Sequence, residues 1–87
     1  MDTALARNAP GVVEINNGTA GQYRDLKDRS TIHNALTVAT LPTGTLGAVA
    51  SVSDGTASLA WGATVTGGGS TKYLVWYNGA AWTVVGK

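Results

Sequence analysis

Five carboxylates, one imidazole and no thiol are the groups in this 87-residue sequence that could perform acid-base, nucleophilic or metal chemistry. Asp2, Glu14, Asp25, Asp28 and Asp54 offer no persuasive acid/base pair, because no neighbouring sequence supplies a desolvating environment that would separate two carboxyl pKa values. Zero Cys removes most zinc sites, and His33 alone is no ligand set within one chain. Gly67-Gly68-Gly69-Ser70 has the glycine content of a phosphate-cradling loop. No Lys-Ser/Thr follows it directly and no helix start is signalled, so it is read as a structural turn. The remaining chemistry is aromatic: Trp61, Trp76 and Trp82 could stack on the apolar face of a pyranose. Bulky side chains are so scarce that core or interface duty is the expected role of Trp76 and Trp82, with Trp61, between Ala60 and Gly62, left open. No catalysis and no cofactor is assigned.

The elements that would position these residues have little apolar bulk to work with. The hydrophobic fraction is 44%, but it includes 13 Ala, and Leu, Ile and Val together supply 18 side chains while Phe is absent. A lone domain of this size buries only roughly 60 to 65% of its unfolded surface. Low net charge, +1, argues against disorder. The chain is therefore expected to fold with help, and without disulfides or a metal cage that help is oligomerisation. Six basic and five acidic residues leave no electrostatic footprint for nucleic acid or an anionic membrane. No apolar run approaches the ~20 residues needed to span a bilayer, and the N-terminus has neither a basic nor an apolar export region, so neither membrane insertion nor an export signal is expected.

Residues 1 to 11, small and polar and broken by Pro10-Gly11, read as an N-terminal arm or stub without a fold of its own. Residues 12–41 read as a β stalk or collar: a strand at Val12-Val13-Glu14-Ile15, a reversal at Asn16-Asn17-Gly18, and a second short strand over Gln22 to Asp28. That strand lies in a stretch, Arg24 to Arg29, that holds 5 of the 11 charges and is expected to be solvated. Ser30 to Thr40 admits a helix through Ile32, Leu36 and Ala39, or a strand over Leu36 to Thr40. The β-branched Thr and Val favour the strand. Residues 42–47, with one Pro and two Gly, read as a linker.

Residues 48–87 read as a β-hairpin head. Ala48 to Ser53 alternates and is expected to stop at the turn pair Asp54-Gly55. Lys72 to Tyr77, then Asn78-Gly79, then Ala80 to Val85 carries the strongest short-range hairpin signal in the chain. Apolar residues occupy both parities of this ribbon, with Leu74 and Trp76 opposed by Tyr73, Val75 and Tyr77, so both faces need cover that neighbouring copies could supply.

Asn16-Asn17-Gly18-Thr19-Ala20-Gly21-Gln22-Tyr23-Arg24-Asp25-Leu26-Lys27, then Val52-Ser53-Asp54-Gly55, Gly62-Ala63-Thr64-Val65-Thr66-Gly67-Gly68-Gly69-Ser70 and Tyr77-Asn78-Gly79-Ala80-Ala81-Trp82 resemble, in this order, the C-terminal ends of phage tail fibres and related virion proteins. The resemblance covers about residues 12 to 86. Such proteins are often long chains, whereas here almost nothing precedes the motif, as in an excised fragment or a small stand-alone fibre or decoration protein.

The resemblance implies an all-β intertwined homotrimer of short strands and hairpins, assembled in the host cytoplasm and resident in the virion. The arm would meet other virion proteins, and exposed loops a host surface glycan. Tail fibre, capsid decoration or head fibre, and carbohydrate-binding module remain alternatives. Val49, Val52, Leu74, Trp76, Trp82 and Val84 are the expected interface or core residues. Trp61, Tyr77 and Asn78 are expected to face a receptor. A threefold axis could gather three copies of His33 into an ion site, the one exception to the expectation of no metal.

Overall fold

The strands of this protein are short because the apolar residues come in short runs, and a computed structural model, which describes residues 2–87, resolves them into six. They are β1 (Ala4–Ala9), β2 (Val12–Asn16), β3 (Ala35–Leu36), β4 (Val49–Gly55), β5 (Thr71–Tyr77) and β6 (Trp82–Gly86), with one 3-10 turn at Val38–Thr40. The protein is β-rich, with two sheets and no α-helix among the described residues. The chain divides into two compact units, Met1–Thr31 and Ile32–Lys87. The stretch 42–47, expected to be a linker, lies inside the second.

In the first unit β1 and β2 form an antiparallel ribbon, pairing Leu5 with Ile15, Ala6 with Glu14 and Arg7 with Val13. Pro10-Gly11 is its turn, with Gly11 at φ +77°. Residues 4–9 are therefore a strand, not the unfolded arm expected from their composition. Pairing with Val12 to Asn16 supplies backbone hydrogen bonds that the Ala-rich segment cannot signal through its side chains. The strand expected over Gln22 to Asp28 is absent. Only Tyr23 makes a bridge, to Asn16, and all seven residues are exposed. With charges on both parities, the segment has no face to bury.

The second unit is one sheet in the order β3-β4-β5-β6. Residues 30–40 resolve neither as the helix nor as the longer strand. Ala35 and Leu36 pair in parallel with Ser51 and Val52, and the chain then tightens into the 3-10 turn. Thr37 and Thr40 hold that turn by reciprocal side-chain hydrogen bonds, and the Asp54 carboxylate accepts from the Val38 amide at 2.9 Å. β4 stops at Gly55, at the expected turn pair, and the chain then returns through a long loop in which Gly55 bridges Gly67 and Thr56 N donates to Thr66 O. The Tyr73 ring occupies the space where a Gly55 Cβ would lie, and its hydroxyl bridges Thr56 and Leu59 at the start of that loop.

The expected hairpin at Asn78-Gly79 is present, but its loop is four residues long, Asn78–Ala81. Asn78 Oδ1 accepts from the amides of Ala80 and Ala81, both at 2.9 Å, and Gly79 takes φ +96°. Residues 62–69 close the sheet on itself. Their backbone bonds to β6 through Gly62 N to Val84 O and Val65 N to Trp82 O, then to the end of β4 through Gly69 N to Asp54 O, while Thr66 O accepts from Thr56 N. The glycine triplet permits this closure, because a Cβ at Gly69 would strike the Gly55 carbonyl. Inside lie Ala50, Val52, Val65, Tyr73, Val75 and Val84, with Leu36, Val38, Leu41, Leu59 and Trp82 packed around them.

Candidate interaction surfaces

Strand alternation decides which side chains the second unit can offer a partner. In β4 and β5 the inward set is Ala50, Val52, Tyr73 and Val75. The outward set follows from the register: Val49 beside Trp76, then the row Ala35, Ser51, Leu74 and Gly86 across all four strands. Gly86 is required there, because an added Cβ would lie 2.7 Å from Leu74 Cβ. His33, Ser53, Lys72 and Lys87 border a shallow groove along this face.

The six residues expected at an interface or core are thus split by the sheet. Val52 and Val84 are buried in the chain's own core, and Trp82 is half-buried against it. Its indole Nε1 donates to the Pro42 carbonyl at 3.2 Å, and its ring meets Tyr77 edge-on, 5.4 Å between centroids. Val49, Leu74 and Trp76 lie on the opposite, exposed face. Of the three residues expected to face a receptor, Tyr77 is half-buried, between Trp82 and Gly44. Asn78 is exposed, but its side chain is spent on the turn. Trp61 is 63% exposed, with the Lys87 ammonium 5.1 Å from its ring centroid and 2.9 Å from the Leu59 carbonyl.

The first unit presents a different surface. Glu14 and Asn16 are its buried residues, and they share one face of the ribbon with Ala4 and Ala6. The Glu14 carboxylate accepts from the Gly21 amide at 2.8 Å, from the Asn16 side chain at 3.2 Å, and from Asn8. The Gly21 amide, followed by Asn16, holds its pKa below the ordinary 4.5 because these bonds favour the charged form. No sequence signal picks out this carboxylate, whose partners come from positions 8, 16 and 21. The other face carries Leu5, Arg7, Val13 and Ile15, with Tyr23 and Arg24 beside Val13 and Ile15 in a second groove.

His33 is exposed at the border of the outer groove, and among the described residues no group of three or more His, Cys, Asp or Glu side chains comes together within the chain. No helix among them is long and apolar enough to cross a membrane. No family model, curated protein or solved structure matches the chain.

Proposed function

We propose that this chain is a non-enzymatic structural module of a phage particle, a homotrimeric tail-fibre element whose work is assembly and attachment to a host surface. The observation that carries the reading is the distribution of apolar bulk. Among the described residues only six apolar side chains are buried, while twelve large ones, including Ile32 at 93% and Leu5 at 76%, are exposed. A surface this rich in exposed aliphatic and aromatic groups is expected of a subunit, not of a solitary protein. The order of the Asn-Asn-Gly, triple-glycine and Tyr-Asn-Gly-x-x-Trp segments supports the fibre assignment.

Sedimentation equilibrium at micromolar concentration tests it. A mass near three chains that survives chelator is expected, and a folded species of one chain overturns the reading.

Attachment to a glycan is favoured by one specific observation, the exposed Trp61 ring under the Lys87 ammonium, which joins an aromatic platform to a cation. Trp61→Ala should retain mass and melting temperature while adsorption to host cells falls at least tenfold. Unchanged adsorption removes Trp61 from the reading.

A further inference from the structure

We infer that the groove on the outer face of the second unit takes an anionic sugar, an acidic residue of a surface polysaccharide, with Lys72 and Lys87 serving its acid group, Ser51 its hydroxyls and Leu74 its apolar face. The inference rests on the glycan-attachment reading above and names the class of glycan. The groove has a volume of about 480 Å³, the size of a small-molecule site.

Its charges are of one sign. Lys72 and Lys87 line it together with His33, and no carboxylate side chain does. Antiparallel pairing of Leu74 with Gly86 brings the two lysines to the same end of β5 and β6. The sole acidic side chain of Ile32–Lys87 is Asp54, whose carboxylate accepts from the Val38 amide at 2.9 Å and does not line the groove. Lys72 is exposed, and Lys87 is a positioned cation, its ammonium 2.9 Å from the Leu59 carbonyl. A concave surface lined by cations alone draws anions to it.

The rest of the lining selects a sugar among anions. Leu74, 39% exposed, offers an apolar surface, and Ser51 beside it offers a hydroxyl that can donate and accept. A pyranose with one acid group has the same mixture of apolar face, hydroxyls and single charge. A nucleic-acid backbone or an anionic membrane demands a longer row of cations than two lysines supply. A second copy seated groove to groove would set these ammonium groups against their own kind. Lys87 also joins the groove to the exposed Trp61 ring, 5.1 Å from its ammonium, so a neighbouring sugar of the same polysaccharide has an aromatic surface on which to stack.

The test uses the full chain with oligosaccharides of galacturonate, glucuronate and mannuronate, each beside its carboxyl-reduced neutral form, and with polyglutamate as an anion that is not a sugar. In titration calorimetry an acidic form should bind more tightly than its neutral counterpart and than polyglutamate, and added salt should weaken it. Lys72→Gln should lower that affinity about tenfold. Lys27→Gln makes the same change of charge at an exposed position of the first unit and should leave it unaltered. Trp61, Trp76 and Trp82 all lie in the second unit, so an unchanged near-ultraviolet tryptophan spectrum shows that this unit is folded in both variants. Equal affinity for acidic and neutral forms overturns the acidic class while attachment to a glycan stands. Polyglutamate bound as tightly as the sugars, or equal losses in the two lysine variants, overturns the groove as a sugar site. If none of the sugars binds, the inference falls, and the adsorption of Trp61→Ala to host cells decides the attachment reading separately.

Discussion

Tyr73 is the residue around which the second unit is arranged. The residue is 4% exposed, and its hydroxyl donates to the Thr56 carbonyl at 2.6 Å while accepting from the Leu59 amide at 3.1 Å. One side chain thus holds the start of the long loop that returns the chain to β6. Tyr73→Phe removes both bonds but little volume, and is expected to cost about 1–2 kcal/mol in chemical denaturation. No change in the midpoint would show that the loop is held by other contacts.

Glu14 plays the corresponding part in the ribbon, and its lowered pKa sets a direction with pH. A carboxyl whose folded pKa lies below its unfolded value contributes stability that is complete above about pH 4.5 and lost as pH falls through the folded value. Melting temperature should therefore fall on acidification below pH 4.5, and Glu14→Gln should flatten that part of the profile. An equally steep fall in the variant would assign the acid sensitivity to another group.

At the scale of elements, close approach of strands and loops depends on glycines whose neighbours differ in how far they can yield. At Gly55 an added Cβ overlaps the Tyr73 ring and lies 3.0 Å from the Thr71 carbonyl, inside the β4–β5 pairing. At Gly44 it overlaps the Tyr77 ring, but the surrounding loop is largely exposed and can lift. Gly55→Ala is accordingly expected to abolish the near-ultraviolet tryptophan spectrum, and Gly44→Ala only to lower the melting temperature. Equal effects would contradict this account. Gly79→Ala, at φ +96°, should cost about 1–2 kcal/mol from the left-handed backbone alone.

For the molecule as a whole, Trp82 links the hairpin to the preceding chain. Truncating a buried Trp costs about 3–5 kcal/mol, and half-burial reduces this to about 2–3 kcal/mol. Trp82→Ala should therefore lower the melting temperature by several degrees, whereas Trp61→Ala should not. The same melting temperature for both would remove the distinction between core and surface tryptophans. On the proposed structural role, purified protein is expected to leave host polysaccharide intact, measured as unchanged viscosity and reducing ends. Depolymerisation would refute the non-enzymatic assignment.

Alternation in Ala48 to Ser53, the Asn-Gly pair at 78–79 and the scarcity of large apolar residues are properties of adjacent positions, so the sequence alone was enough to locate β4, to identify the final hairpin and to indicate that bulk is short. It put Val52 and Val84 in one interface-or-core set with Val49, Leu74, Trp76 and Trp82, without separating the two faces of the sheet. Other features depend on partners distant along the chain, and only the tertiary structure decided them. β1 exists because Val12 to Asn16 folds back on it, not because its Ala and Arg residues favour a strand. The strand expected at 22–28 failed because its charges left it no face to bury. Which parity of β4 and β5 turns inward was settled by Val65 and Val84 arriving from the closing segment and β6, which sent Val49, Leu74 and Trp76 to the outside. The buried Glu14 was invisible for the same physical reason: a carboxylate can be buried when hydrogen bonds from Asn8, Asn16 and Gly21 converge on it, and convergence is a property of the fold.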